Sequence, residues 1–167
     1  MSSIRKRPHP HSCYPNSHTL YRSLPENVSF EEGALAEPLS VLIHAFRRSA
    51  LAPGQTVLVY GVGTIGLLAC ALAKSYGSSR VVAVDINQAR LAFAKSHGFA
   101  EDVFCLLANP RAKSPEEQLR KAKENADLLL EVFGEENGFD VVFECTGAEP
   151  CIQMAIHVRF LPSAFVY

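Results

Sequence analysis

The chain has 167 residues, of which 48% are hydrophobic and 20% charged, a composition typical of one globular domain and not of a disordered chain. Its 16 basic and 17 acidic side chains give a formal net charge of -1. No basic surface offsets a phosphate backbone, which argues against nucleic acid as a partner. No apolar stretch reaches the roughly 20 residues that span a bilayer, which argues against a membrane.

The first 26 residues are predicted to form a disordered arm, because Ser, Pro, His and Arg mix there without a helical or strand period. This start is basic, but no apolar segment follows it, as a secretory signal would require. The cysteines are odd in number and none has C-x2-C spacing, so we expect free thiols in a reducing compartment, by default the cytoplasm. They are Cys13, Cys70, Cys105, Cys145 and Cys151.

Residues 27–55 are predicted to form a helical lead-in. Ser29 followed by Glu32 has the spacing of a capping box, in which each side chain accepts a hydrogen bond from the other's backbone N–H. Pro38 is expected to kink that helix or to restart it. Apolar residues then recur at helical spacing up to Ser49, namely Val41, Leu42, Ala45 and Phe46.

From Thr56 onward, short apolar strands alternate with helices. Strands are predicted at residues 57–60, 81–85, 103–107 and 140–144. This alternation predicts an α/β fold with a parallel sheet and right-handed crossovers. Residues 164–167 are expected to supply a rudimentary fifth strand.

The helices between these strands carry their own start and stop signals. Asn87 and Ser114 are expected N-caps, while Gly77 and Gly98 are expected to end the preceding helices. The helix after Ser114 has an apolar stripe that is expected to pack in the core. Its members are Leu119, Ala122, Ala126, Leu129, Leu130 and Phe133.

One glycine motif carries the functional prediction, Gly61-Val62-Gly63-Thr64-Ile65-Gly66. It follows a predicted strand and opens a helix, and an acid, Asp85, ends the next strand, which is the context of a Rossmann-type dinucleotide site. In such a motif the first glycine permits a tight turn, the second admits the pyrophosphate, and the third lets the helix pack on the sheet. The helix N-terminus then faces the pyrophosphate. We therefore predict a doubly wound Rossmann sheet, incomplete at about four to five strands.

Asp85 is predicted to accept hydrogen bonds from the adenosine ribose hydroxyls. Its charge would repel a 2′-phosphate, which favours NAD over NADP, and Arg90 could soften that preference. A P-loop is excluded because Leu67 and Leu68 stand where Lys and Ser or Thr are needed. A methyltransferase also uses a glycine turn and a strand-terminal acid, and stays open as a rival. So does a strand–turn–helix unit that binds nothing.

The chain resembles the zinc-dependent medium-chain alcohol and polyol dehydrogenases, and sorbitol and xylitol dehydrogenases above all. The resemblance runs from about Leu24 to His157. Four segments carry it: GALAEPLSVLIHAFRR, GQTVLVYGVGTIGLLACALAKSYG, VVAVDINQARLAFAKSHG and FDVVFECTGAEPCIQMAI. It implies an enzyme that moves a hydride between the secondary alcohol carbon of a polyol and nicotinamide C4. In that family a catalytic zinc polarises the alcohol oxygen.

The resemblance also implies roles for single residues. Ile65, Asp85 and Arg90 fall where the family contacts NAD, and Glu37 falls where the family places a glutamate beside the zinc and the substrate. The end of the fourth strand would line the cofactor cleft with Cys145, Thr146 and Gly147. For Cys145 a buried spacer is an equally good interpretation. His44 is interpreted as a packed helix histidine without a catalytic role.

The chain also departs from the family pattern, because motifs of the catalytic domain are missing. Family members carry a catalytic domain with a zinc-binding cysteine in a Gly-Cys-Gly-like stretch and a Gly-His-Glu motif, and neither occurs in these 167 residues. We expect residues 56–167 to be an NAD-binding domain truncated at its C-terminal end, following a remnant of the junction to that catalytic domain.

Glu37 alone would hold zinc weakly, since a catalytic zinc needs three protein ligands. The chain is thus expected to be the NAD-binding part of a polyol dehydrogenase-type oxidoreductase, inactive by itself and without bound zinc. The alternative is a non-catalytic NAD-binding module or fragment. Self-association through an exposed sheet edge is also expected.

Overall fold

The computed structural model describes residues 23–106, 112 and 114–166, with the backbone alone for residues 160–166. Most of the predicted arm (residues 1–22), the end of the predicted third strand (Leu107) and Tyr167 lie outside the described residues. The chain divides into two units, one up to Ala36 and one from Glu37 onward. The predicted lead-in of residues 27–55 is therefore split between them.

Within the first unit, helix α1 (Phe30–Ala34) begins as the sequence predicts. Ser29 Oγ accepts from the Glu32 amide at 3.1 Å, and Glu32 Oε2 accepts from the Ser29 amide at 2.8 Å. The capping box is confirmed. A new helix, α2 (Ala36–Ser49), starts directly afterwards. Pro38 lies in its first turn, where a missing N–H costs no hydrogen bond, so the predicted restart is confirmed.

The second unit continues with alternating strands and helices. They are β1 (Thr56–Tyr60), α3 (Thr64–Ser75), β2 (Arg80–Asp85), α4 (Gln88–Ser96), β3 (Asp102–Cys105), α5 (Pro115–Phe133), β4 (Phe139–Glu144), α6 (Glu149–Val158) and β5 (Arg159–Val166). All strand pairs are parallel, in the order β3-β2-β1-β4-β5. This is the Rossmann order as far as the fifth strand. The predicted fold class is confirmed.

Local chemistry sets most of the helix ends. Asn87 Oδ1 accepts from the amides of Ala89 and Arg90, which starts α4. Ser114 accepts from the Glu117 amide, and Pro115 occupies the first position of α5. Gly134 ends α5 in the left-handed conformation at φ 68°, which a residue with a Cβ adopts at a cost.

The sheet is buried on both faces. Helices α2, α3 and α4 cover one face, where Val57, Val59 and Phe143 point. Helices α5 and α6 cover the other, where Leu58, Tyr60 and Val142 point. Strands that alternate between two apolar layers explain why the sequence shows continuous apolar runs. The helix after β1 and the helix after β4 cover opposite faces of the sheet. The carboxyl ends of these two neighbouring strands therefore flank the crevice in which Rossmann sheets bind ligands.

Three details differ from the sequence predictions. Leu119, placed in the core stripe, is 52% exposed because it lies at the first turns of α5, ahead of the buried Ala122. His44 is exposed on α2, not packed. Strand β5 starts at Arg159, directly after α6, and Pro162 lies in the irregular stretch between the Arg159–Phe139 and Ala164–Val141 pairs. In the described sheet β5 has one neighbour and an irregular register, and such a strand tolerates that proline.

Candidate functional site

The glycine motif forms the turn between β1 and α3. Gly61 has φ +83°, and a Cβ there would lie 2.6 Å from Cγ2 of Thr146. Its amide donates to the Val84 carbonyl at 2.7 Å, which holds the turn against the end of β2. Gly61 is therefore required both by its backbone conformation and by the loop that lies against it.

The two other glycines have different environments. A Cβ on Gly66 would lie 1.7 Å from the Gly61 carbonyl oxygen, so only glycine lets α3 start this close to β1. A Cβ on Gly63 would meet nothing within 4 Å. Gly63 is the N-cap of α3 and has no side chain to satisfy the first amides of the helix. Open space thus adjoins amide donors and the positive end of a helix dipole.

Asp85 ends β2 and is only 7% exposed. Its Oδ2 accepts from the Val62 amide at 2.7 Å, and its Oδ1 accepts from the Asn87 amide at 2.8 Å. A carboxylate has about four acceptor positions, so each oxygen can still accept one further hydrogen bond. The Asp85 side chain thus links the glycine motif to the start of α4 by hydrogen bonds. Its free acceptor positions can still bind a hydroxyl group.

An open cleft of about 470 Å³ lies between the N-termini of α3 and α4. Its wall combines polar groups with apolar side chains. The lining residues are Val62, Gly63, Thr64, Leu67, Asn87, Ala89, Arg90 and Phe93. Thr64 and Arg90 are exposed there, and the cation of Arg90 gives this end of the crevice a positive charge.

The loop after β4 lies against the glycine motif at Gly61, and its residues are not among those that line this cleft. Thr146 and Gly147 are exposed, whereas the thiol of Cys145 packs against the apolar layer below α3. Burial raises the pKa of Cys145 to about 12, and the carboxylate of Glu144 acts in the same direction. The Cys145 amide donates to the Tyr60 carbonyl at 2.9 Å. Its backbone therefore joins the loop to the end of β1, while its side chain packs against the core.

Two residues that the sequence prediction missed stand beside this crevice. Ile86 follows Asp85 and is 71% exposed, an unusual exposure for a large apolar side chain. Glu144 ends β4 and is 6% exposed, with its carboxylate bonded to the following loop. The sequence could have indicated Ile86, because it stands between the strand-terminal Asp85 and the N-cap Asn87. A residue in such a connecting loop is expected to be exposed.

Glu37 lies exposed in the first turn of α2. Among the described residues, no group of three or more His, Cys, Asp or Glu side chains could hold a metal ion. A catalytic zinc requires three protein ligands. The described part of the chain therefore does not fit such a zinc centre.

In the same described residues, no helix is long and apolar enough to cross a membrane.

The fold and the site define a nucleotide-binding Rossmann unit of the dehydrogenase class. Residues 64–159 match the family described as zinc-binding dehydrogenase. D-xylulose reductase A of Aspergillus niger is 42% identical over 135 residues, which are 81% of this chain and 34% of that protein. The chain belongs to the zinc-binding dehydrogenase family, and it spans about a third of the length of the relatives it matches.

Solved structures agree with this assignment. Galactitol-1-phosphate dehydrogenase from Escherichia coli is 30% identical, with a TM-score of 0.59 over 82% of this chain and 35% of that one. A protein from Sinorhizobium meliloti, solved bound to NADP, is 23% identical, with a TM-score of 0.68 over 85% of this chain and 37% of that one. The latter likeness concerns the fold. Membership of the zinc-binding dehydrogenase family contradicts the methyltransferase alternative.

Proposed function

We propose that the crevice at the carboxyl ends of β1, β2 and β4 binds NAD(H). The diphosphate lies over Gly63, and the first amides of α3 donate to it. One observation carries this proposal: the open space at Gly63 adjoins a helix N-terminus of 12 residues that no side chain caps. A diphosphate supplies the acceptors and the negative charge that this position lacks.

Asp85 holds the adenosine ribose. Each of its oxygens already accepts one amide, so the ribose hydroxyls occupy the remaining acceptor positions. The buried negative charge disfavours a 2′-phosphate, and this supports NAD over NADP. Arg90 lies in the neighbouring cleft and opposes that preference. The exposed Ile86 offers the adenine ring an apolar surface beside the ribose.

The complete protein would be a polyol oxidoreductase of the sorbitol or xylitol type. When bound, NAD supplies the nicotinamide carbon that accepts a hydride from a secondary alcohol carbon. The residues described here bind and orient the dinucleotide, and the Thr146–Gly147 turn forms the far wall of its crevice. Glu37 stands on the substrate and zinc side, as the resemblance to the family implies. Family membership and the relatives' names support this substrate class.

By itself the 167-residue chain would bind cofactor without turnover, as a non-catalytic module does. This follows because the described residues offer no zinc centre to stabilise an alkoxide. The test is the reduction of NAD by the purified chain with sorbitol or xylitol, with added zinc. Turnover that a zinc chelator abolishes would contradict this part of the proposal.

Two further proposals concern the setting of the chain. The four cysteines described, Cys70, Cys105, Cys145 and Cys151, are all free thiols, which supports the cytoplasm as its compartment. In the described sheet, β5 has a neighbour on one side only, and an open strand edge favours self-association. Sedimentation velocity at several protein concentrations tests self-association, and a constant monomer mass would contradict it.

Calorimetric titration of the purified chain with NAD, NADP and S-adenosylmethionine tests the central proposal. We expect NAD to bind more tightly than NADP and S-adenosylmethionine not to bind. NADP binding more tightly than NAD would oppose the role of Asp85. Failure of both dinucleotides to bind would remove the proposed function.

A further inference from the structure

We propose that Glu144 is a positioning residue for the cofactor crevice: its buried carboxylate holds the Thr146–Gly147 turn against the glycine motif. The inference rests on the proposed function, because its consequence is the shape of the dinucleotide site. Glu144 itself is only 6% exposed. It therefore acts on the cofactor through its neighbours.

All the hydrogen bonds that the structure gives this carboxylate come from the loop that follows it. Oε1 accepts from the Thr146 amide at 2.8 Å and also from the Thr146 hydroxyl. Oε2 accepts from the Gly147 amide at 2.9 Å. No ion pair involves Glu144 in the described part of the chain. A buried carboxylate without a cation depends on such donors, so the turn is held tightly.

The turn in its place contacts the glycine motif. A Cβ on Gly61 would lie 2.6 Å from Cγ2 of Thr146, so the Thr146 side chain lies directly against the Gly61 backbone. The Cys145 amide, between Glu144 and Thr146, donates to the Tyr60 carbonyl at 2.9 Å. Thus the position of Thr146, which Glu144 sets, limits where the glycine turn can move.

The chemistry at this position calls for a carboxylate. Three donors converge on it, and a carboxylate presents two acceptor oxygens and no donor. A glutamine of the same shape has one acceptor oxygen, and its NH2 group would face one of the loop's N–H donors. We therefore expect Glu144→Gln to release one side of the turn while it leaves the volume of the buried side chain unchanged.

The effect on ligands distinguishes positioning from direct recognition. Both dinucleotides carry the same diphosphate, so a displaced glycine motif weakens both equally. We expect Glu144→Gln to raise the Kd of NAD and of NADP by about tenfold each, which is the loss of one good hydrogen bond. The ratio of the two Kd values is expected to stay at the wild-type value.

Strand β4 supplies a matched control at its other end. Asp140 lies on the same strand as Glu144, and its Oδ2 accepts from the amide of Thr56 on β1 at 2.8 Å and from the Thr56 hydroxyl at 3.0 Å. These are the same two donor groups that Thr146 offers to Glu144. Asp140→Asn should leave both Kd values unchanged, because both Thr56 donors bond to one oxygen, Oδ2, and the amide oxygen of asparagine can take its place. A carboxylate with only a structural role at Glu144 would give the same result as Asp140→Asn.

The experiment measures both Kd values by calorimetry, together with amide hydrogen exchange, for wild type, Glu144→Gln and Asp140→Asn. Equal weakening of both dinucleotides in Glu144→Gln alone supports the inference. Unchanged Kd values, or a changed ratio, overturn it. If Glu144→Gln does not fold, Thr146→Val removes the hydroxyl that donates to Glu144 Oε1 and accepts from the Ala148 amide at 2.9 Å. It should weaken both dinucleotides by about threefold, and unchanged values for this variant also overturn the inference.

Hydrogen exchange separates this inference from the proposed function. If wild type binds neither dinucleotide, the proposed function fails, but the amides of residues 61–66 and 146–147 still report on the turn. Faster exchange at both segments in Glu144→Gln, and not in Asp140→Asn, supports the positioning role. Exchange that is unchanged at residues 61–66 overturns it.

Discussion

The carboxylate of Asp85 accepts a hydrogen bond from the amide of Val62 at 2.7 Å, so the end of the second strand is fastened to the glycine motif. Val62 is 1% exposed, which means that water cannot replace this acceptor. The residue assigned to ribose recognition therefore also supports the pyrophosphate turn. Substitutions at Asp85 should affect both stability and cofactor choice.

We predict that Asp85→Ala lowers the free energy of unfolding by about 1–3 kcal/mol, because a buried N–H loses its acceptor. The same variant should weaken NAD and reduce its advantage over NADP by about tenfold, since the repelling charge is gone. Urea unfolding and calorimetric titration measure the two effects. Asp127→Ala, an exposed carboxylate on α5, is the control. An unchanged ratio of NAD to NADP affinity would discredit the ribose assignment.

Gly63 and Gly66 should separate binding from folding. Gly63→Ala places its methyl in open space, so we expect a change in unfolding free energy within about 1 kcal/mol. NAD binding should nevertheless be lost, because the methyl occupies the space of the diphosphate. Gly66→Ala would bring a methyl to 1.7 Å from the Gly61 carbonyl oxygen, and α3 must shift. The Gly66→Ala variant should therefore unfold at a clearly lower urea concentration than wild type. A Gly63→Ala variant with wild-type NAD affinity would contradict the placement of the diphosphate.

Much of this site followed from short stretches of sequence. The start signals at Ser29, Asn87 and Ser114 are local, since each side chain caps the helix that it precedes. The glycine motif and Asp85 were found because their chemistry requires fixed neighbours in the chain. Local patterns of this kind predict an element without knowledge of what packs against it.

Contacts between distant segments could not be predicted in this way. The need for glycine at position 61 depends partly on Thr146, which the chain brings there only through the parallel pairing of β1 with β4. The role of Glu144 depends on the same pairing. Leu119 has the right spacing for the core stripe, but among the described residues no element covers that end of α5 closely enough to bury it. Periodicity identifies a helix face, not how far its partner extends.

Arg90 is expected to moderate the preference for NAD. It is exposed in the cleft next to Thr64 and Asn87, where its charge favours an additional phosphate. Arg90→Ala should therefore weaken NADP by about two- to fivefold and leave NAD nearly unchanged, since exposed charges contribute little. Calorimetric titration of both cofactors measures this. Arg120→Ala on α5 is the control. Equal weakening of both cofactors would indicate that Arg90 contacts a group they share.

Buried thiols should make the fold sensitive to alkali. Burial raises the pKa of Cys70 from 9.0 to about 12. As the pH rises above 9.0, the unfolded chain loses this proton first, so the free energy of unfolding falls. We expect a decrease on the order of 1 kcal/mol per pH unit from this thiol as the pH rises from 9 toward 12. Urea unfolding of wild type and Cys70→Ala across this interval isolates the contribution. Parallel curves for the two proteins would contradict it.

The most direct test of the account is a 15N-labelled NMR titration of the purified chain with NAD. We predict that the amide signals of Gly63, Thr64 and Ile65 shift with saturation, together with those of Asp85 and Ile86, while amides at the opposite end of the sheet, such as Thr56, do not. A titration in which these loop signals stay in place, or in which only signals elsewhere move, would contradict the proposal that this crevice binds the dinucleotide.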